Sequence, residues 1–290
     1  MINYALPGMY ELFNLNMKLM KNKQKYSECF LPNVNINAFY GNFQYCCWDG
    51  GRIFHTYKQA NLEQMKEIIN IYNNQFHVPI RYVFTNVLLQ EKDCYNRFEN
   101  ILLEIAHSEL NEIVINSPIL EEYIRKNYPK YNIISSTTKC LTNTKEVNKE
   151  LAKNYKFVCL DFNLNHNKTF LKDIPLELKP KTELLVNAIC ESGCPIRQEH
   201  YELNSFSTLN YGKVYKIDTC NLHDTTLDSI NPSRNIVSPK EIEEYFVPNG
   251  ITHFKLEGRS LSESENACNY VKYLVKPEHQ LFILNKLLQK

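Results

Sequence analysis

A short cysteine-rich segment has the residue types of a metal site. Cys190 and Cys194 flank a glycine that allows a tight turn, and a proline follows the second cysteine. Two thiolates at this spacing can converge on one metal ion, and Cys220 is grouped with them as a third ligand. Zinc favours Cys-x-x-Cys pairs, which are absent here, whereas iron–sulfur clusters accept scattered cysteines. The segment therefore favours an iron–sulfur centre, and the alternative for each single cysteine is burial as a small apolar side chain.

Charged side chains alternate with apolar ones near the C-terminus. In a strand, His253, Lys255 and Glu257 would share one face, and the apolar residues between them would share the other. Burial of an unpaired charge is costly, so we expect Lys255 to pair with Glu257 or Asp161. The set is either an interior salt-bridge layer or part of a site. In a site, Glu257 and Arg259 would contact the ligand.

Two other groups of residues suggest a site. Arg197 and His200 follow the cysteine pair and lie within one helical turn of each other, so they could act on a group bound there or form a solvated helix face. The only tryptophan, Trp48, precedes Gly50 and Gly51 and belongs either to a substrate-stacking loop or to a packed turn.

The elements that must position these residues alternate along the whole chain. Eight strands are predicted at residues 2–6, 34–38, 80–85, 112–116, 133–136, 157–161, 184–187 and 252–257. A helical pattern follows each strand, at residues 10–21, 62–72, 93–106, 119–126, 145–153, 168–171, 197–203 and 262–274. This order predicts an α/β fold, a TIM-type (β/α)8 barrel. We expect one domain over residues 1–290, with an elaborated loop between strands seven and eight.

The active sites of such barrels lie on the face formed by the loops that follow the strands. Seven of the ten cysteines are predicted on this face, namely Cys46, Cys47, Cys94, Cys140, Cys190, Cys194 and Cys220. The other three, Cys29, Cys159 and Cys268, are predicted to be structural. This distribution therefore predicts that cysteines distant in sequence meet at one end of the barrel.

Composition excludes some classes of protein. Lys plus Arg number 33 and Asp plus Glu number 32, so a net charge of +1 provides no general attraction for nucleic acid or an acidic membrane. No segment approaches the roughly 20 apolar residues of a membrane span, and the N-terminus does not resemble a signal peptide. We expect a cytoplasmic protein with no membrane partner.

The chain resembles the U32, or collagenase-like, peptidase family. The sequence Lys-Leu-Glu-Gly-Arg at residues 255–259 is similar to the K-(I/L)-E-G-R element of that family. Residues 134–137 resemble its Ser-Thr strand end, and residues 186–201 resemble its cysteine-bearing segment. The resemblance extends over about residues 81–278.

This resemblance implies a TIM-like barrel and, as in several members of that family, a 4Fe–4S cluster held by four cysteines. Such clusters serve oxygen-independent hydroxylation of RNA bases or of a quinone precursor. If the cluster ligands of that family are carried over to this chain by position, they would be Cys190, Cys194 and Cys220, with Cys140 as the fourth. Cys47 is the alternative fourth ligand.

Three functions follow from these observations. The first is an iron–sulfur enzyme that modifies an unidentified small-molecule, peptide or RNA substrate, which Glu257, Arg259 and His200 would position. The second is a peptidase that uses a metal-activated water or a dyad of His200 with Cys190 or Cys194. The third is a non-catalytic subunit with a structural cluster and a protein partner.

Overall fold

The eight predicted β/α units form a closed parallel barrel. The computed structural model describes residues 1–51, 59–210 and 235–289. Within these residues the strands pair in chain order, and the last pairs with the first. The strands are β1 Ile2–Pro7, β2 Val34–Gly41, β3 Ile80–Phe84, β4 Glu112–Ile115, β5 Asn132–Ser135, β6 Phe157–Cys159, β7 Thr182–Leu185 and β8 His253–Lys255. The predicted TIM-type fold class is confirmed.

Helices connect the strands. The α-helices are α1 Phe13–Lys25, α2 Leu62–Asn70, α3 Arg97–Ile105, α4 Pro118–Asn127, α5 Thr144–Leu151, α6 Lys168–Asp173, α7 Arg197–Leu209, α8 Pro239–Glu241, α9 Glu263–Leu274 and α10 Gln280–Leu288. α2 and α8 continue as π-helical turns at Ile71–Gln75 and Ile242–Phe246. Short 3₁₀ turns lie at Ser27–Cys29, Glu91–Tyr95, Thr137–Lys139, Phe162–Leu164, Lys179–Lys181 and Pro277–His279. Helix α10 was not predicted. No helix in the described ranges has the length and apolarity that crossing a membrane requires.

Local sequence determines where several helices begin. Ser238 caps α8 through the backbone amide of Glu241, whose carboxylate in turn accepts from the Ser238 amide. Asn61 and Gln64 form the same reciprocal arrangement at α2. These caps satisfy amides that have no partner within the helix.

The barrel interior is polar at its N-terminal end. The Arg81 guanidinium bonds Glu112 on β4 at 2.7 Å and Glu183 on β7 at 2.6 Å. His253 contacts the Phe157 ring, with 4.3 Å between ring centroids. The alternate residues of β8 therefore face the interior, as predicted, while the main apolar core lies between the barrel wall and the helices.

Helix α7, which follows β7 as predicted, does not pack on the outside of the barrel as the helices of a regular TIM-type barrel do. At its N-terminal end, Arg197 bonds the carbonyl of Thr137, which follows β5. At its C-terminal end, the Thr208 hydroxyl bonds the carbonyl of Asp49 at 2.7 Å. Helix α7 therefore lies across the C-terminal end of the barrel.

The residue types of the two segments explain this placement. The buried face of α7 is largely polar and includes Asn204, Ser205 and Ser207, so it suits loop carbonyls better than an apolar sheet. The segment at α8 buries Ile242 and Phe246, which can pack against the barrel wall. The predicted elaboration between β7 and β8 is confirmed, although residues 211–234 lie outside the described part of the chain.

Candidate active site

A cavity of about 60 Å³ lies at the C-terminal end of the barrel, next to α7. That volume accommodates a few water-sized groups. Polar side chains from the ends of four strands and from α7 line it: Tyr40, Thr85, Ser136, Thr137, Thr138, Tyr201, Lys255, Glu257 and Arg259. The C-terminal end of the strands is where barrels of this class place their active sites.

Lys255 enters this cavity from β8 without a carboxylate partner. The residue is 8% exposed, and its Nζ lies 4.1 Å from the centroid of the Tyr40 ring. Within the described residues, its Nζ forms no hydrogen bond or ion pair, so the expected pairing with Glu257 or Asp161 is wrong. Burial lowers the pKa of the Lys255 ammonium.

Glu257 reaches the cavity two residues further along. Its Oε2 accepts a hydrogen bond from the Ile189 amide at 2.9 Å. Its backbone amide and carbonyl both bond the side chain of Asn187, at 2.6 and 2.9 Å. These bonds tie the ends of β7 and β8 together and hold the carboxylate in one orientation.

Arg259 is held by a buried aspartate that the sequence did not point to. Both terminal nitrogens of its guanidinium bond the Asp49 carboxylate. Asp49 follows β2, next to Trp48, whose indole is fully buried and bonds the Asp93 carbonyl. The Trp48 segment is therefore a packed turn, and it supplies a carboxylate instead of a stacking surface.

Glu11, which the sequence also did not indicate, lies close to this ion pair. Its Oε2 is shielded from solvent and has no hydrogen-bond partner among the residues that the structure describes. The pKa of Glu11 is raised to about 7, chiefly by burial and to a smaller extent by Asp49, whereas Arg259 opposes the shift. No local pattern marks Glu11, because the shift depends on side chains from three separate loops.

Asp161 holds a different arginine. Its two oxygens accept from the guanidinium of Arg197 at 3.0 and 2.6 Å, and that guanidinium stacks 4.2 Å from the Phe162 ring centroid. This pair fixes the start of α7 above β6. His200 lies one turn further along and is half-buried, but it is not among the side chains that line the cavity.

Hydroxyl groups form another side of the cavity. The hydroxyl oxygens of Ser136 and Thr138 lie 2.8 Å apart, and Asn116 donates to that of Thr138 at 2.8 Å. The Thr85 hydroxyl is buried and has no hydrogen-bond partner in the described part of the chain. Sequence reasoning missed Thr85, although its place at the end of predicted strand three was a usable signal.

The candidate cluster ligands are in different environments. Cys140 is half-buried, and burial raises the pKa of its thiol although Arg197 opposes this. Cys190 is buried in an apolar cluster with Cys159, whereas Cys194 is half-buried. The described ranges contain no group of three His, Cys, Asp or Glu side chains that could hold a metal ion.

The remaining ligand predictions are not tested by this geometry. Cys220 lies outside the described residues. Cys47, the alternative fourth ligand, accepts a hydrogen bond from Asn96 at 2.9 Å, and burial raises the pKa of its thiol. The described cysteines do not by themselves provide cluster geometry, so the 4Fe–4S centre stays a prediction. A dyad of His200 with a thiol also stays a prediction, because no hydrogen bond joins His200 to a cysteine within the described residues.

Comparisons with known proteins found a remote likeness among solved structures. No family model matches the chain, and no curated protein matches it. Among solved structures, the U32 peptidase Mk0906 is similar over 77% of this chain and 85% of its own, with 11% sequence identity and a TM-score of 0.48. At these values the likeness is remote, and it does not show that the chain belongs to that family.

Proposed function

We propose that the protein is an enzyme whose active site is the cavity at the C-terminal end of the barrel. The observation that carries this proposal is a pair of polar groups that line one cavity: the Thr85 hydroxyl, which is buried without a hydrogen-bond partner in the described residues, and the amine of Lys255, a buried residue whose Nζ lies 4.1 Å from the centroid of the Tyr40 ring. Buried polar groups without partners cost free energy, and a ligand bound in the cavity would satisfy them. Displaced pKa values in a cleft are typical of active sites.

In this proposal, the side chains of β8 and of the loop after it have different chemical roles. The Lys255 amine accepts a proton or attacks a carbon atom, because burial favours its neutral form. Glu257 and Arg259 position the substrate, because each is held by bonds to another part of the chain. This assignment keeps the roles that the sequence predicted for Glu257 and Arg259.

A small molecule is the substrate class that suits the site best. The cavity accommodates only a few heavy atoms, and α7 lies across the same end of the barrel. A peptide or an RNA could present at most one small group to it. The size of the cavity therefore favours a small polar metabolite.

Turnover of an unfractionated metabolite extract tests this proposal. A methyl group at Gly51 would lie 3.3 Å from both the Arg259 Nη2 and the Thr85 Oγ1, so Gly51→Ala fills the cavity without a severe clash. We expect the wild-type protein to consume at least one metabolite at least tenfold faster than Gly51→Ala, as followed by mass spectrometry. Glu63→Gln is the control, because this carboxylate is exposed on α2.

Two results would contradict the proposal. The first is consumption of the same compounds at equal rates by the wild-type protein and Gly51→Ala. The second is the absence of any turnover: the wild-type protein changes the metabolite extract, and peptide and RNA fractions tested alongside it, no more than heat-inactivated protein does.

Oxygen-independent modification by an iron–sulfur enzyme is the second candidate. In its favour, Cys140 and Cys190 lie close enough for their charges to interact. Iron and acid-labile sulfide, measured after anaerobic purification, should be stoichiometric in the wild-type protein and low in Cys190→Ser. Cys268→Ser, which changes an exposed cysteine on α9, should retain both. Iron-free wild-type protein after reconstitution would exclude this candidate.

A further inference from the structure

Lys255 differs from other lysines of the barrel in its surroundings. Lys156, at the opposite end of the barrel, bonds the Glu112 carboxylate at 2.6 Å. In the described ranges, the Lys255 Nζ forms no hydrogen bond or ion pair; it lies 4.1 Å from the centroid of the Tyr40 ring, and the residue lines the cavity. Its amine is therefore directed toward the space that a substrate would occupy.

The electrostatic surroundings of Lys255 favour an uncharged amine. Burial is the largest effect, and the positive charges of Arg81 and Arg259 also lower the pKa of the Lys255 ammonium. Cys159 and Glu183 oppose the shift but do not reverse it. A desolvated lysine beside other cations is a nucleophile at neutral pH.

On the basis of the active site proposed above, we infer that Lys255 forms an imine with a small hydroxylated aldehyde or ketone. The lone pair of Nζ attacks the carbonyl carbon and forms a carbon–nitrogen bond. The carbonyl oxygen then leaves as water with the two protons of the amine. No oxidant or reductant is required. Glu257, two residues after Lys255 and in the lining of the same cavity, transfers a proton between nitrogen and oxygen.

The lining of the cavity indicates a neutral, hydroxylated carbonyl compound. Thr85, Ser136 and Thr138 present hydroxyl groups that suit hydroxyl groups of a substrate. The two guanidinium groups nearby, those of Arg259 and Arg197, are each bonded to an aspartate. Because an aspartate already compensates each charge, neither guanidinium attracts a substrate carboxylate strongly, so we expect 2-oxo acids to be poorer substrates than neutral carbonyl compounds.

Reductive trapping tests the imine. The protein is incubated briefly at neutral pH with glycolaldehyde or dihydroxyacetone and sodium cyanoborohydride, whose hydride converts the iminium ion to a stable secondary amine. Peptide mapping by mass spectrometry then gives the labelling rate of each lysine. We expect Lys255 to be labelled at least tenfold faster than Lys66 and Lys240, which are exposed. Pyruvate should label Lys255 at least tenfold more slowly than glycolaldehyde.

Because this measurement uses the wild-type protein, it does not depend on the folding of a variant. Equal labelling of Lys255 and the exposed lysines would overturn the imine. Lys255→Met should leave the labelling of Lys66 and Lys240 unchanged and abolish turnover of the metabolite extract. If turnover survives in Lys255→Met but is lost in Gly51→Ala, the imine is overturned, whereas the proposal that the cavity is the active site remains supported. Rapid labelling of Lys255 without any turnover would instead contradict the proposed function.

Discussion

Glu11 and Lys255 are both held in surroundings that disfavour their charged forms. The Glu11 carboxyl has one oxygen that is shielded from solvent and has no partner within residues 1–51, 59–210 and 235–289, and Lys255 faces an aromatic ring. Such side chains cost stability, as buried groups without partners do, and they are retained where chemistry uses them. Their roles can be separated because Glu11 lies beside the Arg259–Asp49 pair, whereas Lys255 lines the cavity.

Glu11→Gln should stabilise the protein in a pH-dependent way. Because the pKa of Glu11 is raised to about 7, the folded state holds this proton more tightly than the unfolded state, and stability falls as pH rises from about 4.5 to 7. Urea unfolding should show Glu11→Gln to be more stable than the wild-type protein at pH 8, by up to about 3 kcal/mol, and no more stable at pH 4. Glu63→Gln, which changes an exposed carboxylate, should show little effect. An effect of Glu11→Gln that is equal at both pH values would contradict the assignment.

Helix α7 depends on a close approach to the loop after β2. A Cβ at Gly50 would lie 2.6 Å from the Asn86 Cα and 2.8 Å from the Thr85 carbonyl, and it would also clash with the Ser205 hydroxyl. Asn86 bonds the Ser205 carbonyl at 3.1 Å and thereby joins α7 to the end of β3. The absence of a side chain at Gly50 thus allows α7 to lie across the barrel.

Gly50→Ala should therefore displace α7. We expect a loss of about 1–3 kcal/mol in the free energy of unfolding, as for other overpacked sites, and faster amide hydrogen exchange along Arg197–Leu209. Gly51→Ala is the matched control, because its new methyl group meets nothing closer than 3.3 Å. Equal stability and equal exchange in the two variants would show that α7 does not rely on Gly50.

Closure of the barrel brings charges from distant strands together in its interior. Arg81 on β3 bonds Glu183 on β7, 102 residues further along the chain, and both side chains are fully buried. A second carboxylate, Glu112, bonds the same guanidinium. Lys156 bonds Glu112 and balances the second negative charge, so the charges compensate one another only in the complete barrel and couple the stability of its two halves.

Glu183→Gln should destabilise the whole molecule, because it leaves Arg81 with less negative charge in a buried site. The expected loss is about 3–5 kcal/mol at pH 7. Its neighbours lower the pKa of Glu183, so the stabilisation is present at neutral pH and lost in acid, and the difference from the wild-type protein should shrink as pH falls. Glu244→Gln, in an exposed pair with Lys240, should cost under about 1 kcal/mol. Similar losses in the two variants would contradict the role of the network.

The sequence alone determined the class of fold and the inward face of β8. Short apolar segments alternating with amphipathic ones are local patterns, and each strand and helix follows from residues within a few positions of one another. The alternation of His253, Lys255 and Glu257 depends only on the period of a strand, so their shared orientation was predictable.

Only the tertiary structure decided which side chains meet. Arg259 pairs with Asp49, 210 residues away, and Asp161 pairs with Arg197 instead of Lys255. Helix α7 lies across the end of the barrel because its polar face meets loops from the opposite wall. Partners at such separations depend on barrel closure and on the direction in which each loop leaves its strand, and no local sequence pattern encodes either.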